Sequence, residues 1–344
     1  MIKKVITGDY NYVMDTNNGF FVRWGQNGDP SWSPLGPEIL DMEISTICNG
    51  PGVPCDFCYK ANGPEGTYMT FELFKEIFDR LPKNISQIAF GIGDIDGNPD
   101  LYKIMKYCRE NDVVPNITIN GYRMEESDYQ QLSELCGAVS VSNYGKDVCY
   151  DAVKKLTDLG MPQINIHQIL HDDTLEQCRS LLEDVTIDGR LDKLNAVVFL
   201  TKKPKGRACD SKKSTMAVMN FIKEALASKK PIGFDSCSAP MVFKSIDKNN
   251  RYLKSLIEPC ESFLFSAYCD VKGHFYPCSF CEGVGEWKDG LAFTRDKDFM
   301  KDIWNNPLSE AWRLRLLTSS GLCVCDHNDC CRACPIHDIT ICKG

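Results

Sequence analysis

Ile39-Leu-Asp-Met-Glu-Ile-Ser-Thr-Ile-Cys48-Asn-Gly-Pro-Gly-Val-Pro-Cys55-Asp-Phe-Cys58-Tyr59 runs a strand-like segment into a loop that carries three thiols. The Ile- and Leu-bearing run over 39–45 favours an extended backbone, and the two Gly and two Pro that follow favour turns. Working outward, residues 39 to about 230 alternate short β-branched runs with amphipathic stretches of helical period, the pattern of β/α units on a parallel sheet. Six strands are expected: Ile39 to Ser45, Ile85 to Phe90, Val114 to Ile119, Ala138 to Ser142, Gln163 to Leu170 and Leu194 to Leu200. In the first intervening helix Thr70 is the N-cap, Phe71, Phe74, Ile77 and Phe78 recur on one face, and Pro82 ends it. Six units are too few for a closed eight-fold barrel, so the expected α/β architecture is a partial (β/α)6 TIM-like barrel, with chemistry at the carboxyl ends of its strands and an open doubly wound sheet as the alternative.

The chain of 344 residues has 43% hydrophobic residues, enough for one large core or two smaller ones, and a net charge of −8. An acidic balance without a basic stripe beyond Lys202 to Arg207 speaks against nucleic acid as a partner. No stretch reaches the roughly 18 apolar residues of a membrane span, and the expected location is the cytoplasm. There, 19 cysteines point to metal binding or catalysis, because reducing compartments keep thiols from forming disulfides.

Three domains are expected. Residues 1–38 form an amino-terminal hairpin with turns at Asn17 to Gly19 and Asn27-Gly28, and residues 39–232 form the barrel. Residues 233–344, with eleven cysteines from Cys237 to Cys342, form a loop-rich metal-organised domain. Phe20, Phe21, Trp24 and Trp32 read either as a hairpin packed on the barrel or as a peptide-binding lip.

Three soft thiolates on one loop suit an iron–sulfur cluster that leaves one iron without a protein ligand, or a zinc site completed by a distant fourth ligand. Here the chain resembles the radical S-adenosylmethionine (radical SAM) superfamily, whose signature is three cysteines in the loop after the first strand with an aromatic residue before the last. Phe57 fills that aromatic position, and six residues separate Cys48 from Cys55 where the family has three. The resemblance implies a [4Fe-4S] cluster on Cys48, Cys55 and Cys58 that binds S-adenosylmethionine and cleaves it reductively to a 5′-deoxyadenosyl radical. It also implies cofactor contacts at Gly91, Gly93 and Asp94 in place of the family's Gly-Gly-Glu turn, at Asn120 in Thr118-Ile-Asn120-Gly121, and at Ser142. Gly206-Arg207-Ala208 resembles a further family element whose role the sequence does not give. Lys146 and Lys154 read mainly as solvated.

Cys260, Gly273-His-Phe-Tyr-Pro-Cys278, Cys323-Val-Cys325, Cys330-Cys331, Cys334 and Cys342 resemble the SPASM extension of radical SAM enzymes. That resemblance implies one or two auxiliary [4Fe-4S] clusters on those residues, with Cys237, Cys269 and Cys281 as surplus or alternative ligands. The cysteine quartet departs from the family's spacing, so its register stays open. It further implies a peptide or protein substrate modified by thioether formation or another crosslink and an external flavodoxin- or ferredoxin-like electron donor; 38 residues are too few for a winged-helix leader module, which leaves either a separate leader-binding protein or a substrate without a leader. Peptide epimerisation or a SPASM-type dehydrogenation are the enzymatic alternatives, and a non-catalytic zinc-stabilised binding protein is the alternative from another class. Cys108, Cys136, Cys149, Cys178 and Cys209 read as small core residues, with Cys149 and Cys209 the candidates for a hydrogen donor.

Overall fold

The computed structural model describes residues 2–17, 19–210, 214–228, 230–247, 249–318, 332 and 334–337. Strands β1 (Ile2–Ile6), β2 (Asn11–Asp15) and β3 (Phe21–Trp24) make a small antiparallel sheet. Strands β4 (Ile39–Glu43), β5 (Gln87–Gly91), β6 (Val114–Ile119), β7 (Val139–Ser142), β8 (Ile164–Leu170) and β9 (Ala196–Thr201) are the six expected strands, with ends shifted by a few residues. Each is followed by a helix: α1 (Phe71–Phe78), α2 (Leu101–Glu110), α3 (Glu126–Leu135), α4 (Lys146–Asp158), α5 (Leu175–Ile187) and α6 (Met216–Ala227). Thr70 caps α1 as expected, its hydroxyl accepting from the Leu73 amide at 3.2 Å.

The sheet is larger than six strands. β10 (Ile232–Phe234) adds in parallel beyond β9, and β11 (Ser266–Cys269) adds in parallel beyond β4, followed by antiparallel β12 (His274–Tyr276) and β13 (Leu291–Ala292). The order is β10-β9-β8-β7-β6-β5-β4-β11-β12-β13. The expected boundary at residue 232 therefore falls inside the barrel sheet, and the carboxyl-terminal segment supplies strands on both of its flanks. Sequence periodicity could not reveal this, because β10 and β11 are only 3 and 4 residues long.

The amino-terminal segment is a three-stranded sheet where a hairpin was expected. The β2–β3 hairpin forms, and β1 joins it along Ile2↔Asp15 to Ile6↔Asn11. This sheet packs under the barrel at the amino-terminal ends of its strands: Lys3 donates to the Ile85 carbonyl, the Tyr12 hydroxyl to the Asn84 carbonyl, and Tyr10 to Glu38 at 2.7 Å. Phe21 and Trp24 lie on β3, with Phe20 beside it and Trp32 beyond it, and none of the four lines the cavity.

Inward and outward faces of β4 alternate. Leu40 and Met42 are 0% and 1% exposed in the layer between sheet and helices, whereas Ile39, Asp41 and Glu43 face the barrel interior. The interior is open: a cavity of about 650 Å³ runs inside the barrel, lined from Ile39 and Ser266 to the cysteine loop. Among the described residues no helix is long and apolar enough to cross a membrane.

Candidate active site

The cysteine loop leaves β4 and is held from three directions. Its own backbone closes on itself, with Cys48 N–H donating to the Gly63 carbonyl at 3.0 Å and Cys58 N–H to the Cys55 carbonyl at 3.2 Å. The six-residue stretch Asn49–Pro54 forms a turn in which Gly50 is buried and Val53 exposed, and Asn49, Gly50, Val53 and Pro54 add to the cavity wall.

The second hold is Asp94, at the end of β5. Its carboxylate is fully buried and accepts from the Asn49 amide at 2.5 Å, the Gly50 amide at 3.1 Å and Asn120 Nδ2 at 2.7 Å, with the Arg123 guanidinium beside it. Burial alone would raise its pKa, but these hydrogen bonds and the guanidinium outweigh burial and hold it below the usual carboxylate range. Gly93 brings the turn against the loop: a Cβ there would meet the Ile47 carbonyl oxygen at 2.3 Å and Cys48 Cβ at 2.5 Å.

Gly206-Arg207-Ala208, just after β9, supplies the third hold. Arg207 donates from Nε to the Cys55 carbonyl at 2.7 Å, from its other guanidinium nitrogen to Asn62 at 3.0 Å, and from its backbone N–H to Cys58 at 3.0 Å. The element whose role the sequence left open is therefore a clamp on the cysteine loop.

Cys48, Cys55 and Cys58 all line the cavity, together with Phe57, Gly91, Gly93, Asn120 and Ser142. Asp94 lies behind the wall, its oxygens bound to the loop. Burial, then Asp94 and the other two thiols, push the Cys48 thiol up to about 11, and burial likewise raises Cys55. Metal coordination would reverse this, since a coordinating thiol is deprotonated outright. The donor set of three thiols at the mouth of a cavity fits the iron–sulfur cluster that the sequence implies.

A second group of thiols stands at the same cavity. Cys237, Cys260, Cys278 and Cys334 line one small pocket with Lys203, Phe280 and His337, and the first three of these cysteines also face the large cavity. Cys237, from the loop after β10, is the member that spacing treated as surplus. Cys281 approaches Cys278, Sγ to Sγ, at 3.5 Å, and the His337 amide donates to Cys334 Sγ at 3.4 Å. Hydrogen bonding to Cys281 and then burial raise the Cys278 thiol, while burial raises Cys237, Cys260 and Cys334. Lys203 is 5% exposed and pairs with Asp235, which also accepts from Thr201 and Ser238, and it lines both the small pocket and the large cavity. Four thiols around one pocket fit a second cluster. Cys323, Cys325, Cys330, Cys331 and Cys342 lie outside the described residues. Among the described residues, no three His, Cys, Asp or Glu side chains converge as ligands of a single ion.

Sequence reading missed the cavity's polar wall: Asp41, Glu43, Tyr59, Lys60, Tyr144, His167, Lys203 and Tyr268. Charged residues at positions 41 and 43 of a strand covered on both faces were a usable signal, because such strands normally read as apolar runs. Phe57 packs on Tyr144 with centroids 5.0 Å apart. Cys108, Cys136, Cys149 and Cys178 are core residues, and neither Cys149 nor the exposed Cys209 lines the cavity. Lys146 and Lys154 pair with Asp184 and Asp158 away from it.

A partial α/β barrel with a three-thiol loop at the carboxyl end of its first strand defines a class of cluster-bearing enzymes. Residues 42–185 match the model of the Radical SAM superfamily, so this stretch of the chain is a radical SAM domain. No curated protein sequence matches the chain. Among solved structures, it is similar to Streptococcus suis SuiB bound to precursor peptide SuiA, with TM-score 0.71 and 14% identity over 96% of this chain and 95% of that one. SuiB bound to S-adenosylmethionine gives 0.70 and 13% over 97% and 94%. Native anSMEcpe with bound AdoMet and Cp18Cys peptide gives 0.59 and 14% over 85% and 88%. At these identities the likeness is one of fold.

Proposed function

We propose that the protein is a SPASM-type radical SAM enzyme that oxidatively modifies a peptide or protein, forming a thioether or another crosslink in the manner of a maturase of ribosomally made peptides. The observation that carries this reading is the single cavity lined both by Cys48, Cys55 and Cys58 and by Cys237, Cys260 and Cys278. A cluster on the first three thiols, with S-adenosylmethionine, would supply a hydrogen-abstracting radical, and one on Cys237, Cys260, Cys278 and Cys334 would supply electron transfer. Four protein thiols would leave the second cluster no open iron for a substrate thiol. This favours electron relay over direct substrate ligation.

The chain's own residues position and shield. Asp94 and Arg207 hold the loop, Phe57 and Tyr144 form an aromatic ledge beside it, and the amino-terminal sheet covers the opposite end of the barrel. Epimerisation requires a hydrogen donor beside the substrate, and the two thiols suggested for that role are outside the cavity. The peptide bound to SuiB supports a peptide substrate here. A small external electron donor and a separate leader-binding protein complete the proposed set of partners.

The test is anaerobic purification with iron, sulfide and zinc determined per chain, followed by dithionite and S-adenosylmethionine. Iron for at least two four-iron clusters, with 5′-deoxyadenosine appearing only after reduction, is the expected result. Stoichiometric zinc without nucleoside product would overturn the proposal. A peptide product lighter by two hydrogens would then identify a crosslink or dehydrogenation.

A further inference from the structure

Asp41 and Glu43 stand two residues apart on the inward face of β4, so their side chains leave the strand about 6.6 Å apart in the cavity wall. Glu43 is 4% exposed. Its Oε1 lies 3.1 Å from Lys60 Nζ, but its Oε2 has no hydrogen-bond partner among the described residues. Lys60 is shared, pairing also with Glu282 and donating to the Tyr268 hydroxyl at 2.8 Å. Asp41 is open to the cavity and sits beside Tyr268 and Ala89 in the sheet register. No hydrogen bond or ion pair to its carboxylate is present among the described residues.

Asp41 and Glu43 line the cavity wall, and the ammonium that pairs with Glu43, Lys60, is shared with Glu282, beside which Lys205 also stands, so among the described residues Asp41 has no paired cation. The other cations of the cavity wall are engaged elsewhere: Lys203 by Asp235, Lys202 by Asp173, and Arg207 by the loop carbonyls. An unpaired buried carboxylate oxygen is costly, and the group that relieves it is a charged N–H donor.

We propose that Asp41 and Glu43 form a subsite for a basic side chain of the substrate, a lysine ammonium or an arginine guanidinium. This rests on the reading of the substrate as a peptide. β4 runs from this subsite up to the cysteine loop, so the methylenes of a long basic side chain anchored at its charged end lie along the wall that leads to Cys48. The subsite thereby selects which residue of the peptide presents its C–H bonds to the radical.

Binding separates this proposal from the radical chemistry. N-acetyl-lysine methylamide and its neutral isostere N-acetyl-norleucine methylamide are titrated into the cluster-loaded protein with S-adenosylmethionine present, using saturation-transfer NMR. The lysine probe is expected to bind at least about tenfold more tightly. Glu43→Gln and Asp41→Asn should each erase most of that preference without changing the affinity for norleucine, while Lys60→Met should strengthen lysine binding. Melting curves and S-adenosylmethionine affinity are followed in every variant. Equal binding of the two probes, or a preference untouched by both carboxylate variants, overturns the proposal. So does a loss in Glu43→Gln of S-adenosylmethionine affinity alone, which would assign the patch to the cofactor. Formation of 5′-deoxyadenosine, measured separately, reports on the radical reading and does not enter this result.

Discussion

At Asp94 two backbone amides, an amide side chain and a guanidinium converge on one buried carboxylate. Glycine-rich turns after strands are common, and the sequence suggested a cofactor contact; the structure shows a brace for the cysteine loop. Replacing Asp94 with Asn removes the charge and leaves at least one donor facing another donor. A loss of about 2–3 kcal/mol in urea unfolding is expected, together with reduced iron retention. Retention of full iron and full stability would show that the loop holds itself. The thiols give a sharper expectation at the same scale. Single Ala replacements of Cys48, Cys55 or Cys58 should lower 5′-deoxyadenosine formation by at least about a hundredfold, as expected when a group needed for the chemistry is removed.

Among the elements, the short turn after β9 has the clearest assigned duty. Gly206 adopts φ +62°, and a Cβ there would meet the Tyr59 and Cys58 carbonyl oxygens at 2.4 and 2.5 Å. Gly206→Ala therefore pushes the clamp off the cysteine loop while leaving the strands alone. Unchanged far-ultraviolet circular dichroism with a lower iron content is the expected pair of results, and Arg207→Met should give the same pair more mildly. Loss of the whole fold in either variant would mean that the turn supports the barrel as well as the loop.

For the molecule as a whole, the open barrel places titratable groups where burial acts on them. Burial raises Asp41 from 3.8 to about 6, so the folded chain keeps its proton longer than the unfolded chain. Its contribution is fully present below pH 3.8 and is lost as pH rises through 6. Burial lowers His167 from 6.5 to about 4, against the opposing field of Asp235, so the unfolded chain takes the proton first. Its contribution is present above pH 6.5 and is lost as pH falls through 4. The two slopes oppose each other between about pH 4 and 6. Asp41→Asn should make the urea midpoint climb more steeply with pH over that window, and His167→Gln should make it climb less or fall. Parallel curves for the two variants and the parent would exclude burial as the cause.

Much of the molecule was legible in local sequence because the signals are local. Strand runs, helix faces such as Phe74, Ile77 and Phe78, and three thiols on one loop are each read within about twenty residues. What local sequence could not carry was the meeting of distant segments. Short β10 and β11 join opposite flanks of the barrel sheet, and Cys237, Cys260, Cys278 and Cys334 reach one pocket from four separate stretches of chain. The clamp by Arg207 likewise spans 152 residues to Cys55, and the carboxylates of β4 face a cavity only because strand alternation turns Asp41 and Glu43 inward. The β/α scaffold and its thiol loop follow from local sequence, since backbone preference and ligand chemistry are properties of neighbouring residues. Which thiols share a pocket and which charges line the cavity is set by the folded arrangement, because both depend on packing between segments far apart in the chain.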